Sequence, residues 1–270
     1  MIRLVATDVD GTLLRSDGTA SAATVSALQN LAVPYVLVTG RPRRWVEPLA
    51  AKLGCEGAAI VVNGALTYDL TTGDVVRALT ITPDDARACA RAIRSELPDA
   101  LFAVERLSDP PFASEPGYPS VHPDPAAPLL ALDELTAEPV LKLLCRSGSV
   151  SETETLYEVA RTACAGHPVE LTHSSGTLGL LEIAAAGVDK ASALAAYAAH
   201  LGISSDEVLA FGDGFNDVPL VAWAGHGVAV ANAHPAVLDV ADEVTASNDD
   251  DGVAEVLVRF GATLDRSPHR

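Results

Sequence analysis

Two aspartates separated by one residue close a short apolar run near the start of the chain. Residues 4–7 are apolar or β-branched, and residues 8–12 read Asp-Val-Asp-Gly-Thr. In an extended segment residues i and i+2 point the same way, so the side chains of Asp8 and Asp10 should emerge together. Two carboxylates that close both stay ionised only when a cation lies beside them. The pair therefore predicts a metal site, and the alternative is an ordinary Asx-rich turn after a strand.

A hydroxyl and a glycine follow the next apolar run. Residues 35–38 read Tyr-Val-Leu-Val and are followed by Thr39 and Gly40, and a helix can start at Pro42. One O–H, one backbone N–H and a helix N-terminus can together face an anion. The alternative is an ordinary strand-to-helix turn. In a βαβ pattern, however, Thr39 should lie beside Asp8 at the same edge of the sheet. We therefore predict a phosphate-binding position here.

A single lysine opens a later predicted helix. Lys190 precedes the helical pattern of residues 191–201, and the helix dipole disfavours a cation at that end. An anion should therefore compensate for it. Either Lys190 points into a site and meets a phosphate and Asp8, or it is a solvated surface lysine.

A second acidic cluster follows the predicted strand over residues 208–211. Residues 212–217 read Gly-Asp-Gly-Phe-Asn-Asp, and the glycines on both sides of Asp213 permit close approach of a ligand to the backbone. Asn216 or Asp217 could act as a simple helix N-cap. Because a cap does not need Asp213 as well, we expect the cluster to belong to a binding site.

The elements that must position these residues alternate between strand and helix patterns. The predicted helices are residues 21–32, 43–53, 191–201 and 252–260, and the predicted strands are residues 4–7, 35–38, 58–62, 208–211, 227–230 and 243–245. A hairpin over residues 66–69 and 74–81 follows Asn63 and Gly64. Such a chain predicts an α/β fold with a mainly parallel sheet. Ligands bind at the carboxyl edge of such sheets.

Residues 80–185 depart from this alternation. The predicted helices are residues 83–97 and 151–165, and the predicted strands are residues 101–105, 140–145, 169–172 and 178–183. This pattern predicts an inserted α+β module. Seven prolines lie between residues 110 and 128. They predict a stiff, irregular surface connection without a catalytic role, and substrate contacts are the alternative.

Composition limits the classes of partner. The chain has 270 residues, which favours one large domain carrying a smaller one, and its formal net charge of −18 argues against a nucleic-acid partner. The four cysteines are scattered and are expected to be small buried hydrophobes: Cys55, Cys89, Cys145 and Cys164. The acidic motif starts at residue 8, which leaves no room for a signal peptide, and no run is long enough for a membrane span. A cytoplasmic monomer or weak homodimer is expected.

Taken together, the motifs resemble those of the haloacid dehalogenase (HAD) superfamily, and most closely its Cof-type hydrolases. The stretches that match the first to fourth motifs of that superfamily are residues 8–12, residues 39–41, Lys190 and residues 212–217. Residues 63–65 and 247–252 also resemble family stretches. The resemblance implies a Rossmann-like catalytic core over residues 1–79 and 186–270. It also implies an α+β cap over residues 80–185 that selects the substrate.

The resemblance further implies a Mg²⁺-dependent phosphatase of small phosphorylated metabolites, with sugar phosphates as the first candidates. Asp8 would be the nucleophile that forms an aspartyl-phosphate, and Asp10 the general acid and base. The implied ligands of Mg²⁺ are the carboxylates of Asp8 and Asp213 and the main-chain carbonyl of Asp10. The implied phosphate-binding residues are Thr39, Gly40, Lys190 and Asn216, with Asp217 orienting metal-bound water or Lys190. Candidates for substrate contacts are Arg41, Arg43, Arg44, Trp45 and Asn63.

Other functions compete with this interpretation. A phosphomutase or phosphotransferase would use the same chemistry at Asp8 but would have to exclude water. Pyridoxal or flavin phosphates are the alternative small substrates. A P-type pump does not fit, because the sequence has no membrane spans and such pumps lack an acid/base at the position of Asp10. A non-catalytic binding module would be expected to have lost at least one of the charged positions.

Overall fold

The computed structural model describes residues 1–120, 126–148, 153–173 and 179–264. The chain divides into two compact units, Met1–Arg77 with Asp189–Arg270, and Ala78–Val188. The assignment of these units as a catalytic core and a cap stays a prediction. Within the described residues, none of the helices is both long and apolar enough to span a membrane.

The strands and helices are numbered along the chain. The described strands are β1 (Leu4–Asp8), β2 (Tyr35–Val38), β3 (Ala58–Val61), β4 (Leu66–Asp69), β5 (Val75–Ala78), β6 (Leu101–Arg106), β7 (Phe112–Ser114), β8 (Val140–Arg146), β9 (Val169–His173), β10 (Leu181–Ala185), β11 (Val208–Gly212), β12 (His226–Ala229) and β13 (Glu243–Val244). The described helices are α1 (Ala22–Gln29), α2 (Arg43–Leu53), α3 (Pro83–Glu96), α4 (Leu132–Leu135), α5 (Thr153–Ala163), α6 (Lys190–His200), α7 (Val218–Trp223), α8 (Pro235–Leu238) and α9 (Gly252–Leu264).

The first unit is built on a sheet with the strand order β13-β12-β11-β1-β2-β3-β4-β5. Neighbouring strands from β13 to β3 run parallel, and β4 pairs antiparallel with β3. The central strands carry apolar residues on both faces, as expected when helices cover both sides of a parallel sheet. Ala6, Val36 and Ile60 are fully buried and belong to one cluster with Ala193 and Leu194 of α6. The predicted α/β fold with a mainly parallel sheet is confirmed.

The order of the central strands determines where the motifs meet. Strands β11, β1, β2 and β3 are neighbours in that order, and β1 pairs in register with both of its neighbours, β11 and β2. Because these strands are parallel, their carboxyl ends lie along one edge of the sheet. Asp213 follows β11, Asp8 ends β1, Thr39 follows β2, and Val62 with Asn63 follows β3.

The second unit contains an antiparallel sheet with the strand order β7-β6-β8-β10-β9. Helices α3 and α5 pack against each other, and the buried side of α3 includes Cys89 and Ile93. Apolar residues of the sheet such as Phe102 and Leu143 are fully buried. The unit therefore has the predicted α+β character.

The proline-rich connection differs from its prediction. It contains β7, which pairs antiparallel with β6 through Phe112, Ala113 and Ser114. β7 lies at the edge of its sheet, the position that tolerates prolines nearby because one side of an edge strand needs no ladder partner. Residues 121–125 of this connection lie outside the described residues. The sequence predicts that the last strand of this unit starts at residue 178, which also lies outside the described residues. In the structure this strand, β10, begins at Leu181.

Candidate active site

A buried ion-pair triad lies at the carboxyl edge of the first unit's sheet. The Lys190 ammonium donates hydrogen bonds to Asp8 Oδ1 at 2.6 Å and to Asp217 Oδ1 at 2.5 Å. The side chains are 2% exposed for Lys190, 5% for Asp8 and 1% for Asp217. The two possibilities left open by the sequence are thus resolved, because Lys190 is not a solvated surface lysine.

Local structure at the start of α6 brings Lys190 to this position. Asp189 is the N-cap of the helix, and its side chain accepts a hydrogen bond from the Ser192 amide at 2.8 Å. Lys190 is therefore the first helical residue, where the helix dipole disfavours a cation. The carboxylates of Asp8 and Asp217 supply the compensating negative charge.

Burial and neighbouring charges shift the pKa values of this group in a consistent way. Desolvation raises the pKa of the Asp8 carboxyl well above its usual value, Lys190 lowers it, and the charges of Asp217 and Asp213 raise it further. For Lys190, burial alone lowers the pKa, but attraction to Asp8 and Asp217 outweighs burial, so the net pKa is raised. The pKa of Asp213 is raised, chiefly by desolvation. One ammonium thus faces three carboxylates, and the site carries excess negative charge.

Three carboxylates lie close enough to share a cation. One oxygen from each of Asp8, Asp213 and Asp217 lies within 4.8 Å of the other two. Thr12 donates a hydrogen bond to Asp213 Oδ1 at 2.6 Å and so fixes that carboxylate. An all-oxygen donor set with excess negative charge fits a hard divalent cation such as Mg²⁺. The residues present therefore fit the metal that the sequence motifs imply.

Asp10 departs from the arrangement expected for an extended strand. β1 ends at Asp8, so the rule that residues i and i+2 share a side no longer applies beyond it. The side chain of Asp10 is 57% exposed. Its two carboxylate oxygens accept hydrogen bonds from Arg41, from Nε at 2.8 Å and from a terminal nitrogen at 2.5 Å. The carboxylates that join Asp8 in the described cluster are Asp213 and Asp217, and Asp10 is not among them.

The predicted phosphate-binding residues line the same edge. Thr39 is buried, and its Oγ1 accepts a hydrogen bond from the Arg41 amide at 3.1 Å. Asn216 lies in the turn after β11 and donates a hydrogen bond from Nδ2 to Asn63 Oδ1 at 3.2 Å. Gly40 packs against the same Asn63 side chain. The edge thus gathers residues from all four motifs.

A family model of haloacid dehalogenase-like hydrolases matches residues 5–257 of the chain. The chain belongs to this family.

Individual relatives of this HAD-like hydrolase match it over nearly its whole length. A Bacillus subtilis protein named 5-amino-6-(5-phospho-D-ribitylamino)uracil phosphatase YcsE is 28% identical over 261 residues, which cover 95% of this chain and 94% of that protein. An Arabidopsis thaliana protein named chloroplastic endoribonuclease YBEY is 26% identical over 269 residues, and the match covers 94% of this chain but 45% of that longer protein.

Solved structures agree with the family assignment. A Bacteroides thetaiotaomicron phosphatase of the haloalkanoate (HAD) superfamily superposes with a TM-score of 0.80 at 27% sequence identity, covering 97% of this chain and 96% of that one. This HAD-like hydrolase is therefore a phosphatase, as the motifs predicted.

Two arginines proposed as substrate contacts in this HAD-like hydrolase are engaged elsewhere. Arg43 pairs with Glu47 at 2.6 Å, and its guanidinium lies 4.6 Å from the centre of the Tyr68 ring. None of these partners belongs to the carboxylate cluster. Arg44 stacks on its neighbour Trp45 at 4.7 Å. A role for either arginine in binding the substrate stays a prediction.

The sequence did not identify Asn232 as a residue that shapes the edge, and it identified Asn248 only as part of the family-like stretch 247–252. Asn232 Nδ2 donates a hydrogen bond to the Gly11 carbonyl at 2.8 Å, and its Oδ1 accepts one from the Asn248 amide at 2.9 Å. Asn248 Nδ2 in turn donates to the Leu14 carbonyl at 2.8 Å. These two asparagines hold the turn after β1 in this HAD-like hydrolase. They lie more than two hundred residues from that turn along the chain, so no local pattern signals the contact.

Proposed function

We propose that this phosphatase is a Mg²⁺-dependent hydrolase of small phosphorylated metabolites that works through an aspartyl-phosphate on Asp8. The observation that carries the proposal is the buried Lys190 ammonium, held between Asp8 and Asp217 at the carboxyl edge of a parallel sheet. A carboxylate nucleophile repels a phosphate dianion, so attack requires positive charge that is already in place. Lys190 supplies one such charge directly at the nucleophile.

Mg²⁺ would supply the rest of the neutralisation. In this proposal Asp8 and Asp213 hold the ion through their carboxylates and Asp10 through its main-chain carbonyl. Bound there, Mg²⁺ would offset the negative charge of the phosphoryl oxygens as a Lewis acid. Burial, and then the charges of Asp217 and Asp213, raise the pKa of Asp8. The three carboxylates that lie close together here support a cation at this place.

The first chemical step belongs to Asp8. One carboxylate oxygen attacks phosphorus in line with the bond to the leaving alcohol, a P–O bond to Asp8 forms, and the bond to the alcohol oxygen breaks. Lys190 holds Asp8 in one orientation through its 2.6 Å hydrogen bond. Asp217 receives the other Lys190 hydrogen bond, and its Oδ2 accepts from the Gly214 amide at 2.9 Å, so it anchors both the lysine and the loop that carries Asn216.

Proton transfers belong to Asp10. As general acid it would give a proton to the leaving alcohol oxygen, and as general base it would then take a proton from the water that attacks the aspartyl-phosphate. That second step releases inorganic phosphate and restores Asp8. The pairing with Arg41 fixes the direction of the Asp10 carboxylate, which supports a positioned acid/base.

The phosphoryl oxygens would be bound by donors from three loops. In this proposal these donors are the Thr39 hydroxyl, the Gly40 amide, the Lys190 ammonium and the Asn216 carboxamide. Asn216 is exposed and Thr39 is buried. The donors would therefore reach phosphoryl oxygens both at the surface and in the interior of the site. Such preorganised donors lower the barrier because they need no rearrangement during the reaction.

The substrate class is inferred from the chemistry of the motifs and from the named relatives. The motif residues handle the phosphoryl group, so the second unit, as a cap, would discriminate among leaving alcohols. The Bacillus subtilis relative is named for a phosphate on a ribityl chain attached to a uracil. This name supports a phosphorylated polyol, which favours sugar phosphates first. It also keeps pyridoxal and flavin phosphates as the second class.

A phosphate-release screen tests this proposal. The panel contains sugar phosphates, polyol phosphates, pyridoxal phosphate, flavin mononucleotide and a phosphopeptide, ranked by kcat/KM with and without Mg²⁺. We expect Mg²⁺-dependent release that is highest for a sugar or polyol phosphate. A preference for pyridoxal or flavin phosphate would reverse the order of the two small-molecule classes. A preference for the phosphopeptide would contradict the proposed substrate class.

A further inference from the structure

We propose that Asn63 is a positioning residue of the phosphate-binding edge. A strained turn formed by Val62 and Asn63 ties together the loops that carry Gly40, Asn216 and Lys190. The inference rests on the proposed function, because it assigns Asn63 a part in binding the phosphoryl group. It also replaces a direct substrate contact by Asn63 with an effect exerted through its neighbours.

The turn has an unusual backbone. Val62 has φ 55° and Asn63 has φ 56° with ψ 23°, so two consecutive residues other than glycine adopt the left-handed conformation. Asparagine tolerates this region, but a β-branched valine rarely enters it. Strain of this kind persists only where the surrounding structure enforces it, and it concentrates at functional sites. The strain at residues 62 and 63 therefore needs an explanation from their surroundings.

Backbone hydrogen bonds fix the turn to the second motif. The Val62 amide donates to the Arg41 carbonyl at 3.0 Å, and the Asn63 amide donates to the Thr39 carbonyl at 3.0 Å. The Val62 side chain is 1% exposed and anchors the turn in the core. A regular continuation of β3 would need an extended backbone at Val62 and Asn63. The left-handed pair instead turns both amides onto the loop that carries Thr39, Gly40 and Arg41.

The next residue brings in the third motif. Gly64 has φ 108°, and a Cβ atom at this position would lie 2.3 Å from the Asp189 carbonyl oxygen. The backbone of the turn therefore touches the residue that caps α6 and precedes Lys190. Only glycine permits this approach. The position of the turn and the position of Lys190 are thus mechanically linked.

The Asn63 side chain reaches the fourth motif. Its Oδ1 accepts the 3.2 Å hydrogen bond from Asn216 Nδ2, and it would lie 2.8 Å from a Cβ atom on Gly40. The carboxamide is therefore wedged between two of the proposed phosphate-binding residues. Its hydrogen bond restrains the exposed Asn216 side chain, and its contact with Gly40 restrains the amide of that loop. Asn63 acts on phosphate through these two residues.

The variant Asn63→Gly separates the side chain from the turn. Glycine adopts φ 56° without strain, so the fold should be kept and the midpoint of thermal unfolding should stay level or rise. The carboxamide, however, is lost. We expect KM for the best substrate of the panel and the inhibition constant of inorganic phosphate to rise together by about tenfold, the loss expected for one misplaced hydrogen bond. The matched control is Asn30→Gly at the exposed end of α1, which should leave both constants unchanged.

A double-variant cycle with Asn216→Ala tests whether Asn63 acts through Asn216. If it does, adding Asn63→Gly to Asn216→Ala should raise KM by much less than about tenfold, because the two effects are not additive. Wild-type turnover with unchanged KM and phosphate inhibition in Asn63→Gly would overturn the inference alone. The inference would also be overturned if the unfolding midpoint of Asn63→Gly fell so far that unfolded protein at the assay temperature explained the weaker binding. Asn63 would then be a structural residue. No turnover by the wild-type chain would overturn the proposed function and the inference together.

Discussion

Arg41 binds both carboxylate oxygens of Asp10, through Nε at 2.8 Å and a terminal guanidinium nitrogen at 2.5 Å. The pair is bidentate, so it sets the plane of the carboxylate as well as its position. Because the Asp10 side chain is 57% exposed, the ion pair with Arg41, rather than burial, orients it. The second motif thereby acts on the first.

This relationship predicts a leaving-group effect in Arg41→Lys. A lysine ammonium cannot form both hydrogen bonds, so the Asp10 carboxylate should lose its orientation. We expect kcat/KM, which reports the transfer of the phosphoryl group to Asp8 and not the later hydrolysis, to fall about tenfold for an alkyl phosphate, which corresponds to about 1.4 kcal/mol in the barrier. It should fall much less for p-nitrophenyl phosphate, whose leaving group departs without a proton. Steady-state kinetics on both substrates measure this, with Arg3→Lys as the control. Equal losses on both substrates would rule out orientation of an acid.

Removing the buried ammonium should affect stability and activity together. Lys190→Met leaves Asp8 and Asp217 buried without their partner, which we expect to cost about 3 to 5 kcal/mol of unfolding free energy. Turnover should fall by at least about a hundredfold, since the charge at the nucleophile is lost. Denaturant unfolding and phosphate release measure the two effects. Lys52→Met removes an exposed lysine as the control. A Lys190→Met variant as stable as the wild type would contradict the described triad.

The raised pKa of Asp213 predicts how the metal changes stability. A carboxyl whose pKa is raised by folding stabilises the fold below its unfolded pKa, and that contribution is lost as the pH rises through the folded pKa. At neutral pH, without metal, this carboxyl should therefore destabilise the fold relative to its contribution at low pH. Asp213→Asn should unfold at an equal or higher temperature than the wild type in EDTA.

Addition of Mg²⁺ should then distinguish the two proteins. Saturating Mg²⁺ at about a hundred times its dissociation constant should stabilise the wild type by about 2.7 kcal/mol. The unfolding temperature of Asp213→Asn should change little. The control Asp239→Asn, at the exposed end of α8, should respond as the wild type does. A full Mg²⁺ response in Asp213→Asn would remove Asp213 from the proposed metal ligands.

A histidine in the second unit predicts a pH dependence of stability. Its hydrogen bond to Asp85, with Nδ1 and Oδ1 2.8 Å apart, raises the pKa of His167 above its usual 6.5. The stabilisation is therefore complete below pH 6.5 and is lost as the pH rises through the higher, folded value. His167→Gln should lower the unfolding temperature by roughly 2 °C at pH 6 and by less at pH 9. His200→Gln is the exposed control, and a pH-independent difference in His167→Gln would exclude the ion pair.

The α/β pattern predicted that Asp8 and Thr39 lie at the same edge of the sheet, because each lies at the end of a parallel strand. For Lys190 the pattern left two alternatives open, and the family resemblance implied its place at the phosphate. Parallel strands bring such ends to one edge whatever the loops between them do. The family motifs then narrowed the chemistry to phosphoryl transfer.

The direction of the Asp10 side chain could not be predicted in the same way. It depends on where β1 ends and on Arg41, which lies 31 residues away along the chain. The left-handed conformation of Val62 could not be predicted from the sequence either. Valine gives no local signal for that conformation, and only the carbonyls of Thr39 and Arg41 explain it. Contacts between loops, rather than elements, account for what the sequence missed.

The identity of the nucleophile is the central claim, and Asp10→Asn offers the means to observe it. p-Nitrophenyl phosphate should still phosphorylate this variant, because its leaving group needs no proton. The loss of the base should then slow hydrolysis of the intermediate. Asp8→Asn should abolish turnover altogether.

Mass spectrometry of acid-quenched, protease-digested Asp10→Asn after mixing with p-nitrophenyl phosphate and Mg²⁺ is the most direct test. We predict one added phosphoryl group on Asp8, lost on treatment with hydroxylamine and missing from the double variant Asp8→Asn, Asp10→Asn. A phosphoryl group on any other residue, or turnover by Asp8→Asn at the wild-type rate, would contradict the account.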